Sequence, residues 1–231
     1  VALLEIHKCI TSGGRILFVS TKKQASDTIA SLANDTSQFY VNHRWLGGML
    51  TNWKTISNSI KRYKKLSIDL KKESTGFTKK EILKMGIQRD KLERSLGGIA
   101  DMVKIPSMIF IIDTNIEDLA VKEALKLNIP IVAIVDTNSD PTGINYPIPG
   151  NDDARRAINL YCELIKETII DAQKHIFKDN DKDDKENLKV ESKKTEEKKE
   201  ENKKQEKAKT VKKISKSILS KVKLLASKKT K

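Results

Sequence analysis

MIFIIDTNIEDLAVKEALKLNIPIVAIVD, residues Met108 to Asp136, is the stretch that decides the fold. Its two ends, Met108 to Asp113 and Ile129 to Asp136, are continuous apolar runs rich in β-branched residues, and the part between them, Glu117 to Leu127, reads as a helix. A strand without polar alternation is buried on both faces, as strands of a parallel sheet are. Arg15 to Thr21 and Phe39 to Asn42 read as two further strands, and Ala2 to Ile10, Lys22 to Ala33 and Asp152 to Ile176 as further helices. Strand and helix in alternation predict an α/β protein with a doubly wound parallel sheet.

Between the second and third strands the pattern changes. Ile56, Tyr63 and Leu70 recur every seven residues with Ile60 and Leu66 between them, and Lys61, Arg62, Lys64 and Lys65 flank that narrow apolar seam. Met85, Leu92 and Ile99 repeat in the same way beside Ile82 and Leu96, and Thr78 with Glu81 forms a capping-box signature at the start of this second helix. Ser74 to Phe77 links the two, so residues 51–99 are expected to be an antiparallel coiled-coil hairpin inserted into a core of residues 1–50 and 100–177. At 1.5 Å per residue each arm would reach on the order of 30 Å.

Charge follows the same division. The chain has 231 residues and a formal net charge of +14. Residues 1–177 hold 25 Lys and Arg against 20 acids, and Arg44 to Lys104 alone hold 15 against 6, so the positive charge of the folded part is concentrated in the insert. Residues 178–231 hold 20 Lys against 11 acids and no aromatic residue. Within them Lys178 to Glu206 has too little apolar surface to offset the entropy of ordering and is expected to be a disordered linker. Lys207 to Lys231 has 10 Lys and no acid, with Val211, Ile214, Ile218, Val222 and Leu225 at helical spacing: a solubilising extension, or a segment that turns helical on an anionic surface such as RNA or a membrane.

Two cysteines, Cys9 and Cys162, give no disulfide framework and fit a reducing compartment. No run approaches the roughly 18 apolar residues of a membrane span. Ser12-Gly13-Gly14-Arg15 ends a helix and precedes a strand, the reverse of a dinucleotide fingerprint, and no Walker pattern occurs. Asp-Thr-Asn occurs twice, at Asp113 to Asn115 and Asp136 to Asn138, each time ending an apolar strand. Acids in that position serve α/β enzymes, so an enzyme using Asp113 and Asp136 is the alternative reading; helix capping and turn formation explain the same residues without chemistry. His7 and Cys9 diverge on one helix, and no metal site or cofactor is inferred.

Phe39 to Arg62, FYVNHRWLGGMLTNWKTISNSIKR, contains four cationic residues and no acid. A run of this kind, rich in Asn, Thr and Ser, points to a surface held against an anionic polymer, and RNA is the polymer expected. Arg44 suits bidentate phosphate contact, and either Arg44 or His43 can stack on a base. Trp45 and Leu46 read as core anchors, and Gly47-Gly48 as a tight path into the hairpin whose return is marked by Gly97-Gly98. The expected RNA contacts are Lys22, Lys23, His43, Arg44, Lys54, Lys61, Arg62, Lys64 and Lys65. Lys22 and Lys23 enter because they follow a strand and open a helix, where backbone N–H groups favour anions. Asn151-Asp152-Asp153, by contrast, reads as a helix cap that repels phosphate.

Four segments in order resemble the bacterial-type small-subunit ribosomal protein two family: Ser12 to Ser26, Phe39 to Arg62, Ser95 to Met102 and Ile129 to Ile158. The likeness covers about Val1 to Lys174. It implies a flavodoxin-like core, a non-catalytic role in translation, and assembly into the small ribosomal subunit of the cytoplasm or an organelle. It also implies contact with small-subunit rRNA and with neighbouring ribosomal proteins, including the protein-one family member. Members carry a further N-terminal region, so this chain, which opens without Met, is expected to be N-terminally incomplete.

Overall fold

The computed structural model describes residues 1–71 and 77–175. The order of elements is α1 (Ala2–Thr11), β1 (Ile16–Val19), α2 (Ser26–Asp35), β2 (Phe39–Val41), α3 (Trp53–Lys71), α4 (Lys79–Leu96), β3 (Met108–Ile112), α5 (Asp118–Lys126), β4 (Ile131–Val135) and β5 (Tyr146–Pro149). A final helix, α6, covers residues 155–175. All strands are parallel in the order β2-β1-β3-β4-β5, the doubly wound arrangement expected.

β1, β3 and most of β4 are buried on both faces, as their uninterrupted apolar sequences require. On one face Leu17, Val19, Ile109, Ile111, Ile131 and Ala133 pack under α5 and the base of the α3–α4 hairpin. On the other, Ile16, Phe18, Phe110, Ile112, Val132 and Ile134 pack under α1, α2 and α6. The hairpin therefore stands where a doubly wound fold needs a covering helix, and its base belongs to the core.

β5 was not foreseen from the sequence, because Tyr146-Pro147-Ile148-Pro149 carries two prolines. It pairs with β4 at the sheet edge. Two prolines spaced by two residues lack their N–H on the same side of the strand, so that side faces away from β4 and no ladder bond is lost.

The hairpin helices pack along each other, and Thr78 caps α4 reciprocally: its Oγ accepts from the Glu81 N–H at 3.4 Å while its own N–H donates to Glu81 Oε2 at 2.9 Å. The seam is graded. Ile56, Ile60, Leu96 and Ile99 are buried at the base; Tyr63, Leu66, Leu70, Met85 and Leu92 are half-buried; Ile82, expected in the seam, is 41% exposed. Two helices alone cannot enclose side chains once the sheet no longer backs them. Residues 74–76 of the link and the whole of 178–231 lie outside the described residues.

Candidate nucleic-acid interface

The turn from β2 into α3 is built on one carboxylate that the sequence did not announce. Glu123 of α5 accepts from Trp45 Nε1 (3.1 Å), from the backbone N–H groups of Gly48 (2.7 Å), Leu50 (2.9 Å) and Thr51 (3.0 Å), and from the Thr51 hydroxyl (3.1 Å). Burial alone would push its carboxyl up, but these donors outweigh it and hold the group below the usual carboxylate range. Gly48 sits at φ +80, where a side chain would be strained. Trp45 is buried, as expected of a core anchor, while His43 and Arg44 beside it are exposed.

From this anchored turn α3 leads outward. Lys54, Lys61 and Lys65, with Asn58 among them, recur at seven and four residues, which places them within about 40° of one another around the helix. Ile56, Ile60 and Tyr63 lie on the opposite side, toward α4 and the core. The lysine stripe therefore points to solvent and spans about 16 Å along the axis. Lys23, Lys54, Lys61 and Lys65 are exposed and form no ion pair among the described residues. Arg62 donates to Gln88 Oε1 at 3.2 Å, and Lys64 pairs with Asp101 at 2.9 Å, both at exposed positions where a phosphate competes easily.

Lys22 is placed otherwise. Its side chain is 12% exposed, and its Nζ lies 2.9 Å from Asp113 Oδ2, 3.1 Å from Asp152 Oδ1 and 2.6 Å from Asp153 Oδ1. Burial pulls the ammonium pKa down, but the hydrogen bonds it donates to Asp153, Asp113 and Asp152 raise it well above its ordinary value. This corrects the expectation that Lys22 holds RNA phosphate: a charge already shared among three carboxylates, in an acidic setting, is not offered to another anion. The helix-start argument missed that the acids after β3 and before α6 converge on it.

The Asp-Thr-Asn loops prove to be joinery. Asp113, at φ +68, accepts from the Asn115 and Ile116 N–H groups through Oδ1 and from Lys22 through Oδ2. Asp136 accepts from the Thr137 N–H at 2.6 Å, and Asn115 Nδ2 donates to the Asn138 carbonyl at 2.9 Å, tying one loop to the other. Asn151 accepts from the Asp153 and Ala154 N–H groups, the cap expected ahead of α6.

Fold and surface together define a doubly wound α/β protein that presents its cationic side chains on an inserted helical arm. The family description "Ribosomal protein S2" matches residues 1–172, and the chain belongs to that family, whose members are structural constituents of the small ribosomal subunit and not enzymes. Among its relatives named small ribosomal subunit protein uS2, that of Parvibaculum lavamentivorans is 57% identical over 170 residues, covering 74% of this chain and 67% of the relative. Those of Bartonella henselae and Phenylobacterium zucineum are 59% and 58% identical over 74% of this chain, and cover 66% and 58% of their own lengths. The chain thus spans about half to two thirds of the relatives it matches. No helix among the described residues is long and apolar enough to cross a membrane.

Proposed function

We propose that this chain is a constituent of the small ribosomal subunit that binds small-subunit rRNA through Lys23, His43, Arg44, Lys54, Lys61, Arg62, Lys64 and Lys65, chiefly at phosphates. The observation that carries the reading is the lysine stripe of α3, aimed away from the apolar seam and beginning next to a turn that Glu123 and Trp45 fix to the core. A stripe of about 16 Å rising from a rigid base offers several cations to successive phosphates without the entropy of ordering a loop. Neighbouring ribosomal proteins, including the protein-one family member, and a cytoplasmic or organellar ribosome belong to the same proposal and rest on the family likeness. The lysine-rich segment 207–231 adds RNA affinity in it.

The test is binding to a small-subunit rRNA fragment across a salt series. Log affinity should fall linearly with log salt, and Lys54→Glu, Lys61→Glu and Lys65→Glu combined should reduce that slope by about two to three if each lysine displaces a counterion. An unchanged slope with the fold intact refutes the assignment of this stripe. Sedimentation of tagged protein from its own cells tests the ribosomal role separately: co-migration with the small subunit supports it, and confinement to the light soluble fractions sinks it.

A further inference from the structure

We propose that His7, Asp171 and His175 form a binding site for a zinc-class divalent ion that clips the first helix of the chain to the last. On the sequence His7 lies far from Asp171 and His175, and it diverges from its neighbour Cys9. In the structure α1 and α6 lie on the same face of the sheet, Ile6 and Ile10 sharing a core with Ile165, Ile169 and Ala172. Asp171 and His175, four apart on α6, face the same way, and the packing brings His7 to them.

His7 Nε2 is 3.9 Å and His175 Nε2 3.7 Å from the same oxygen, Asp171 Oδ2, and the three ligand atoms all lie within 4.8 Å of one another. A second contact holds the other side of the His7 ring. The Thr11 hydroxyl donates to the His7 carbonyl at 2.8 Å and lies 3.4 Å from the ring's Nδ1. Nε2, the opposite ring nitrogen, is the one turned to the carboxylate.

The donor set selects the ion. Two imidazoles and one carboxylate suit zinc and its neighbours, whereas a single carboxylate is too few oxygens for calcium or magnesium. Tetrahedral zinc with bonds of about 2.0–2.1 Å places its ligand atoms about 3.3 Å apart. Reaching that from the distances here needs only rotation of half-exposed side chains (33%, 63% and 53% exposed) and leaves a fourth position to water. The Thr11 contact is the kind of outer hydrogen bond that orients a ligating histidine.

The test titrates ZnCl₂ into the full chain and follows the imidazole resonances of His7, His43 and His175, the three histidines of the sequence. The expected result is that His7 and His175 shift together with a stoichiometry of one, that His43 stays still, and that millimolar MgCl₂ moves none. His7→Ala, Asp171→Asn and His175→Gln should each weaken zinc binding by tenfold or more, and zinc should raise the Tm of the parent but not of His175→Gln. Absence of a shift at 1 mM zinc, His175 shifting with an affinity that His7→Ala leaves unchanged, or a cobalt thiolate charge-transfer band showing capture by Cys9 would each overturn the proposal.

Discussion

Removing the Glu123 carboxylate with Glu123→Ala should loosen the whole entrance to the hairpin. Five donors converge on this one group, and they divide by exposure. Thr51 is exposed and Gly48 half-buried, so their N–H groups can turn to water, whereas Leu50 and the Trp45 indole are buried and cannot. Each buried orphan donor costs about 1–3 kcal/mol, which makes the substitution worth roughly 4 kcal/mol in all. For a domain of this size that corresponds to a fall in Tm on the order of 8–16 °C. Glu123→Gln should fall between, because one amide oxygen still accepts while its NH₂ confronts N–H groups. Circular dichroism melts measure the loss, and hydrogen exchange locates it: the amides of Gly48, Leu50 and Thr51 should lose protection while β3 and β4 keep theirs. The pH dependence has a definite sign. A carboxyl held below its usual value contributes stability that is present above that usual value and lost as pH falls through the depressed one. Glu123→Ala should therefore flatten the acid limb of the stability profile. A Tm within about 2 °C of the parent, or unchanged protection at the three amides, would refute the reasoning.

Three other outcomes follow from the same geometry. Lys22→Met removes the cation shared by Asp113, Asp152 and Asp153 and should cost about 3–5 kcal/mol at neutral pH, a deficit that shrinks in acid as Asp152, whose carboxyl burial pushes above its usual value, takes up its proton; denaturant titrations at several pH values measure it. Gly98→Ala puts a Cβ 2.2 Å from the Tyr40 carbonyl oxygen, and because backbone cannot yield cheaply the return of the hairpin must shift; thermal unfolding should show a loss of several degrees, where Gly86→Ala, with open space around it, should show none. Burial pushes the Cys162 thiol up to about 12, so a disulfide reagent at pH 8 should label Cys9 well before Cys162, and equal rates would contradict the packing of α6.

The sheet was legible because its strands are buried on both faces, and burial writes itself into sequence as unbroken apolar runs: β3 and β4 are found within two residues of their expected ends. β5 was not, since an edge strand is defined by which side it leaves unpaired, and prolines there look like a loop. The hairpin was read from its seven-residue repeat, and the structure adds that only the base of that repeat is enclosed. Glu123 escaped notice for a different reason. On α5 it looks like any surface acid beside Lys122, and its role is set by donors some 72 to 78 residues away. Lys22 was misjudged by the same blindness, its partners being up to 131 residues distant in sequence. Local pattern identifies elements; it does not say which charges the fold will bring together.

That convergence also explains where the function of this fold has gone. Doubly wound sheets bind anionic ligands in the crevice beyond the carboxyl ends of their strands, at the point where strand order reverses. Here that point lies between β1 and β3, and it is filled by the Lys22 ammonium with Asp113, Asp152 and Asp153, while the Thr21 N–H that a phosphate would seek is taken by Glu117 at 2.6 Å. Three carboxylates around one ammonium leave net negative charge, so a phosphate group entering the crevice is repelled and finds its donor already in use. The acids that a sequence reader takes for an active site are what closes it. Cationic side chains free of partners lie instead on α3 and the turn before it, an insert whose exposed face is not needed for the core. A scaffold that closes its crevice with internal ion pairs leaves the inserted arm as its cationic surface, and the phosphate contacts proposed for that arm need several spaced point charges more than they need a pocket.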